Sequence, residues 1–283
     1  MLSQLVDLFK LRIGMLMAVT ALAGYAITPG TRLNALQLIL LAILVLMASA
    51  SSGAFNQYIE RDLDARMQRT AARPFVTGFF MHGWLWLTVI WLLLLVAVVG
   101  ALYAFNGAAA LYLLLGALTY GVVYTVWLKP RTAWNIVIGG LAGSFAVLAG
   151  AAAANPQLGP EAICLAIVLF LWTPPHFWSL AIALREEYAE AGVPMLPVVV
   201  GDARSARIIL FSTLLLVAVS STPVFFGLGW IYLSCALAGG LNFLYRNLRL
   251  VQKPEPREAI KNFLASILQL SLLLIGAIVD AAL

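Results

Sequence analysis

The sequence predicts an all-α fold, a polytopic membrane bundle of nine transmembrane helices around a central cavity, and three observations carry that expectation. The chain has 283 residues, of which 63% are hydrophobic and 10% charged, with a mean hydropathy of +0.98. Soluble domains carry roughly 25% charged residues, and a soluble fold of this size could not hide so much apolar surface from water. The apolar residues also fall into runs of the length that a helix needs to cross a bilayer core, about 20 residues. Finally, the Lys and Arg residues cluster at the ends of alternate runs.

Nine stretches qualify as spans: 11–28, 35–58, 84–105, 108–128, 133–153, 161–184, 207–228, 230–248 and 261–282. The first follows Lys10 and Arg12, lacks a small-residue cleavage site and reads as a span rather than a cleaved signal peptide. The second runs into the polar segment Asn56 to Asp64, and the fourth ends at Lys129 and Arg131. The fifth carries Gly139, Gly140, Gly143 and Gly150, small residues that let helix backbones approach closely in lipid. Pro174 and Pro175 in the sixth are expected to kink it and free backbone carbonyls. The whole chain, 1–283, is expected to form one membrane-embedded domain with pseudo-repeat halves of about 1–130 and 131–283.

All 17 Lys and Arg can be placed at span ends or in loops, and only Arg32 falls in a loop of the opposite set. Such asymmetry is the positive-inside pattern. It predicts a cytoplasmic N-terminus and, with an odd number of spans, a C-terminus outside. The formal net charge of +5 is then mostly topological, and no nucleic acid is needed to explain it. Cys164 and Cys235 both lie in apolar runs, so neither a disulfide framework nor a thiolate metal site is indicated.

Chemistry is expected on the cytoplasmic side, where the loops after spans two and six are long and charged. Asn56, Glu60 and Asp64 are spaced four apart, so a continuing helix stacks them on one face. Three hard oxygen ligands aimed into a bundle suit Mg²⁺ that also holds phosphate oxygens. Arg61, Arg66, Arg69 and Arg73 surround them, and Arg is shaped for bidentate phosphate contact. The bland reading is a solvated helix end with ordinary juxtamembrane charges. A second acidic patch, Arg185 to Glu190 with Glu186 and Glu187, stands on the same side after span six and favours a shared site, with two metals clamping one diphosphate. Lys129 and Arg131 either donate to phosphate or anchor span four at the interface. His176, inside an apolar span, is a functional suspect because intramembrane ionisable groups are costly. Its bland alternative is a neutral ring satisfying a carbonyl freed by the two prolines.

These segments together resemble the UbiA superfamily of intramembrane prenyltransferases and, within it, the heme O synthases. The carrying stretches are Asn56 to Asp64 with its continuation to Arg73-Pro74, Leu128 to Gly140, Leu171 to Trp178 and Arg185 to Val199. The likeness covers Lys10 to Arg207. Departures are Glu60 where the first motif usually has Asp, Pro130 where Arg is common, and no Pro pair within Gly143 to Gly150.

The resemblance implies a Mg²⁺-dependent transfer of a farnesyl group from farnesyl diphosphate to a vinyl group of heme b, giving heme O and free diphosphate. On that reading the metal ligands are Asn56, Glu60, Asp64 and Glu187, with Glu186 as a substitute, and two Mg²⁺ ions bridge the diphosphate. Arg61, Arg73, Lys129 and Arg131 contact the diphosphate, aided by Tyr124. Tyr58, Tyr120 or Trp127 would stabilise an allylic cation, and His176 would meet the heme iron or a propionate. The implied surroundings are membrane lipid, the bacterial inner membrane, and a heme A synthase or terminal oxidase assembly as protein partner. Alternatives are a related prenyltransferase acting on a quinone precursor or chlorin, a membrane transporter, and a structural assembly protein. Transporters generally keep their coupling charges near mid-membrane, whereas here nearly all acids lie at one face.

Overall fold

A computed structural model of the chain describes residues 1–283, and all of its regular structure is helical. A short helix α1 (Leu2–Leu8) leads into α2 (Leu11–Ile27) and α3 (Ala35–Ile59), and a single turn, α4 (Arg61–Asp64), extends α3. Then come α5 (Trp84–Ala104) and α6 (Gly107–Leu118), which runs on into a π-helix (Thr119–Leu128). Two pieces, α7 (Asn135–Gly139) and α8 (Leu141–Ala154), make the next crossing, followed by α9 (Pro160–Ala183). The short α10 (Arg185–Glu190) and α11 (Leu196–Val200) lie in the loop before α12 (Asp202–Ser220), α13 (Trp230–Gln252) and α14 (Pro256–Ala282).

The chain is thus all-α and polytopic, with nine long helical rods where nine spans are expected. Seven of the rods are both long enough and apolar enough to cross a membrane. The rod α2 is apolar but has 17 residues, and α13 keeps Arg246 and Arg249 within its last turns. Helical winding continues through Pro174 and Pro175 in α9. The carbonyls that lose an amide donor are those of Phe170 and Leu171, four residues before the prolines; Ser179 Oγ donates to the Pro175 carbonyl at 2.5 Å, one turn further on.

Neighbouring rods close a ring in the order α2, α3, α5, α6, α8, α9, α12, α13, α14 and back to α2. The ring is pinched where α2 packs directly on α8 across it. Glycine makes that crossing possible: a Cβ on Gly24 would collide with the Val147 carbonyl, and one on Gly150 with the Ala21 carbonyl. On one side of the pinch an apolar core forms from Leu41, Leu44, Val45, Leu94 and Leu113. On the other side Leu165, Leu169, Leu216, Tyr232, Phe243 and Leu273 form a second core. Outward-facing Leu, Ile, Val and Phe side chains remain exposed on the rods, as lipid-facing surfaces require. Between the cores, at the end bearing the long charged loops, the ring stays open.

Candidate active site

At that open end lies a hollow of about 730 Å³ walled by α2, α3, α4, the π-helix and α9, with the 65–73 loop at its rim. The i→i−4 pattern of α3 carries through Glu60 into α4: the Glu60 amide donates to the Asn56 carbonyl at 2.9 Å and the Asp64 amide to the Glu60 carbonyl at 2.7 Å. Asn56, Glu60 and Asp64 therefore stack along one face, as their spacing predicts, and all three line the hollow and are buried. Each has a cationic partner. Lys10 Nζ donates to Asn56 Oδ1 at 2.6 Å, Lys129 Nζ to Glu60 Oε2 at 2.6 Å, and Arg73 Nη1 to Asp64 Oδ2 at 2.6 Å. Glu60 Oε1 is buried without a partner. Such an orphan oxygen is costly unless something else binds it.

The π-helix positions the opposite wall. Lys129 donates its amide to the Tyr124 carbonyl, five residues back, at 2.9 Å, and that winding gives roughly 4.4 residues per turn. Lys129 lies nine residues after Tyr120, about two turns of π-helix but two and a half of α-helix. Only the wider winding brings Tyr120, Tyr124 and Lys129 onto one face, where all three line the hollow. The two tyrosine rings stack with centroids 5.6 Å apart. Thr125 Oγ1 accepts from Asn56 Nδ2 at 3.0 Å and ties this wall to α3.

Electrostatics divide the hollow. Burial raises the Asp64 carboxyl above the usual carboxylate range, against the pull of the Arg73 guanidinium. Lys10 is pushed down to about 7, first by burial and then by Arg73. It also holds a left-handed backbone at φ 47°, the single non-glycine residue with positive φ. Such strain costs on the order of 1–3 kcal/mol and collects at functional sites. Lys10 Nζ additionally donates to Tyr120 OH at 2.9 Å. Lys10, Arg69, Gln57 and Tyr188 all line the hollow and stand outside the sequence-based assignment. In the sequence the positive-inside pattern accounts for Lys10, and Arg69 is one of four arginines in a run with nothing to single it out.

Several expected residues are placed elsewhere. Glu187 Oε2 accepts from the Arg69 amide at 3.3 Å, so the second acidic patch meets the first through the 65–73 loop, but Glu187 does not line the hollow. Glu186 is exposed. No three acidic, His or Cys side chains converge at metal-binding distance. Arg61 pairs with Asp62 on the exposed side of α4 at 3.0 Å, since one residue beyond Glu60 is a 100° turn away from the site face. Arg131 folds back to donate to the Val126 and Trp127 carbonyls at 2.9 and 2.7 Å, capping the π-helix. Trp127 is exposed, and Tyr58 stacks on His82 with centroids 3.9 Å apart, away from the hollow. His176 Nδ1 pairs with Ser266 Oγ at 2.6 Å, and its ring lies between Trp172 and Phe263. Its partner is a hydroxyl of α14, not a carbonyl freed by proline. The Arg61→Ala and Arg131→Ala variants are each expected to change turnover by no more than about twofold, the range of ordinary surface substitutions. A tenfold loss in either, measured in membranes, would return that arginine to the site.

What this arrangement can do follows from its charges. Three stacked oxygen donors suit a hard cation, and the cations Lys10, Arg69, Arg73 and Lys129 around them suit a polyanion. A diphosphate bound through a divalent metal satisfies both sets at once, and the unpartnered Glu60 oxygen gains a ligand.

The chain is similar to known proteins in sequence and in fold. Residues 17–273 match the family model described as the UbiA prenyltransferase family. The chain is 54% identical over 279 residues to protoheme IX farnesyltransferase 2 of Paramagnetospirillum magneticum, covering 99% of this chain and 97% of that protein. Among solved structures it resembles a digeranylgeranylglyceryl phosphate synthase at a TM-score of 0.81 and 20% identity, covering 99% of this chain and 98% of the other. It also resembles a UbiA homologue from Archaeoglobus fulgidus bound to DMAPP and Mg²⁺, at a TM-score of 0.72 and 16% identity, covering 95% and 99%. Both structural likenesses concern the fold alone.

Proposed function

The chain belongs to the UbiA prenyltransferase family, in its heme O synthase branch, and from that premise we propose that it transfers a farnesyl group from farnesyl diphosphate to a vinyl carbon of heme b. It is an integral membrane enzyme whose site opens at one face; we place that face in the cytoplasm of a bacterial inner membrane, with the C-terminus outside. The observation that carries the reading is the convergence of Asn56, Glu60 and Asp64 with Lys10, Arg69, Arg73 and Lys129 in one hollow.

Asn56, Glu60 and Asp64 would hold Mg²⁺, which neutralises charge developing on diphosphate as it leaves. A second ion would draw on Glu187, whose carboxylate is turned to the Arg69 amide in this structure. The protein's own residues do the rest. Lys10, Arg69, Arg73 and Lys129 hold the diphosphate oxygens and favour departure of the C1–O electron pair, as preorganised charges aimed at a developing anion do. Tyr120 and Tyr124, stacked in the same wall, would stabilise positive charge at the vacated carbon through their ring faces. The outer vinyl carbon then bonds to C1, the inner one becomes cationic, and water adds there with loss of a proton, giving a hydroxyethylfarnesyl side chain.

Purified protein in lipid, given farnesyl diphosphate, heme b and Mg²⁺, should yield a heme product heavier by one farnesyl group plus one hydroxyl group, detected by mass spectrometry. Transfer only to a quinone precursor or chlorin offered in parallel would keep the chemistry and overturn the acceptor.

Metal dependence should carry a pH signature. A protonated Asp64 is no metal ligand, and its raised carboxyl loses its charge at a higher pH than an ordinary Asp does. The Mg²⁺ concentration for half-maximal rate should therefore rise on acidification, and begin to rise before the ordinary Asp titration at about pH 3.9 is reached. A requirement that stays constant down to that ordinary titration would count against Asp64 as a ligand.

A further inference from the structure

Lys10, Ile13 and Tyr120 line both the large hollow and a narrower, mostly apolar cavity of about 110 Å³ between α2, α3, α6 and α8, and so mark the neck between the two. Lys10 reaches that neck from an unfavourable backbone. It stands between α1 and α2 at φ 47° and ψ 44°, in the left-handed region where a Cβ crowds the following carbonyl. A residue keeps such a conformation only where its surroundings over-determine it. What surrounds Lys10 is one turn of α3.

Gly53, Asn56 and Gln57 share a face of α3, at i, i+3 and i+4, and each acts on a different part of Lys10 or of its turn. The side-chain stem lies over Gly53, where an added Cβ would come within 3.3–3.4 Å of Lys10 Cβ, Cγ and Cδ. The ammonium donates to Asn56 Oδ1 and to Tyr120 OH. The backbone is held by Gln57, whose Nε2 donates to the Asp7 carbonyl at 2.8 Å. That same carbonyl accepts from the Lys10 amide at 3.1 Å. It therefore closes the turn that Lys10 completes, and Gln57 ties the closed turn to α3. Leu8 also packs with Ala54 and Tyr58, but apolar contact is non-directional and sets no dihedral angle.

Stability is a poor reason for a glutamine at this place. Gln57 is 1% exposed, yet its Oε1 is buried without a partner, which is a costly state for a polar atom. An unbranched apolar side chain of similar length would shed that cost. Nor is Gln57 set to meet substrate, since Oε1 is shut away from the hollow and Nε2 is engaged by Asp7. Resting on the function proposed above, we propose that Gln57 is a positioning residue for the prenyl transfer. It acts on the reaction through Lys10, by fixing the left-handed turn that aims the ammonium into the site.

The test is a double-mutant cycle on the full chain in lipid, with farnesyl diphosphate, heme b and Mg²⁺ supplied. Gln57→Met removes the donor and keeps the length of the side chain; Gln57→Ala removes the donor and leaves space beside the open hollow. Each is made alone and together with Lys10→Met. With Lys10 present, either change should lower kcat/KM for the prenyl diphosphate by about tenfold or more, since small misplacements of an acting group are expensive. The split between kcat and KM should follow that of Lys10→Met alone. In the Lys10→Met background the same change should cost no more than about twofold, because no ammonium is left to place. A residue that only supports the fold would give the same fold-loss in both backgrounds, and that result overturns the proposal. Full activity of the single variants overturns it too, as does failure of both to fold, which would make Gln57 structural. Absence of any prenylated heme from the wild type overturns instead the function on which the proposal rests.

Discussion

Asp64→Ala should abolish Mg²⁺-dependent prenyl transfer, by about 10³-fold or more, while the protein still inserts and folds. The size follows from what the carboxylate does. Removing one preorganised group that stabilises developing charge typically costs 10²–10³ in rate, about 2.7–4 kcal/mol, and on the proposed assignment the group would also help hold the ion that neutralises the leaving diphosphate. Folding should survive because Asp64 is paired with Arg73, and the freed guanidinium borders an open hollow of about 730 Å³ rather than a sealed core. Asp64→Asn is the companion variant: it keeps an acceptor for Arg73 and the shape of the wall but lacks the charge. Both should be inactive, and both should show the wild-type melting profile in detergent within a few degrees, since an exchange of polar groups beside a solvated cavity costs on the order of 1–2 kcal/mol. Full activity of Asp64→Ala, measured as heme O formed in membranes, would remove the metal assignment altogether.

How much of this was legible beforehand depends on which physical signal each residue carries. Span positions follow from run length and apolarity, so the expected 35–58, 84–105 and 161–184 fall close to α3, α5 and α9. The first acidic motif was equally legible because it is local: positions 56, 60 and 64 on one helix share a face whatever else the chain does. The same arithmetic argues against Tyr58, about 200° round that helix from Asn56, and the structure places it with Phe75 and His82 instead. Other features had no local signal. Nothing in Thr119 to Leu128 announces a π-helix, yet that winding is what turns Lys129 toward Glu60. The setting of Glu187 depends on how two loops meet. Lys10 carried a signal that had a sufficient explanation already, since a cation before a first span is ordinary topology. Only coordinates show its ammonium folded inward onto Asn56 and Tyr120.

That inward fold makes Lys10 the site of the second large effect. Lys10→Met should lower kcat/KM for the prenyl diphosphate by roughly 10²-fold, as loss of one charged group beside a leaving anion does in a low-dielectric site. Met keeps most of the unbranched apolar stem, so the neck that Lys10 shares with Ile13 and Tyr120 retains its shape and the deficit reports the charge. Two comparisons separate a functional cation from a structural one. Lys10→Arg restores the charge and should recover part of the activity. Lys10→Gly relieves the left-handed backbone at φ 47°, because glycine enters that region freely; it should be as inactive as Lys10→Met yet no less stable than it. A residue kept for packing would give the reverse order, with Lys10→Gly the least stable and Lys10→Met fully active. The kinetic split adds a further constraint. If Lys10 acts on the departing diphosphate, kcat falls with KM nearly unchanged; a fall confined to KM would mean that it merely gathers the donor and that the departing charge is carried by Arg69, Arg73 and Lys129.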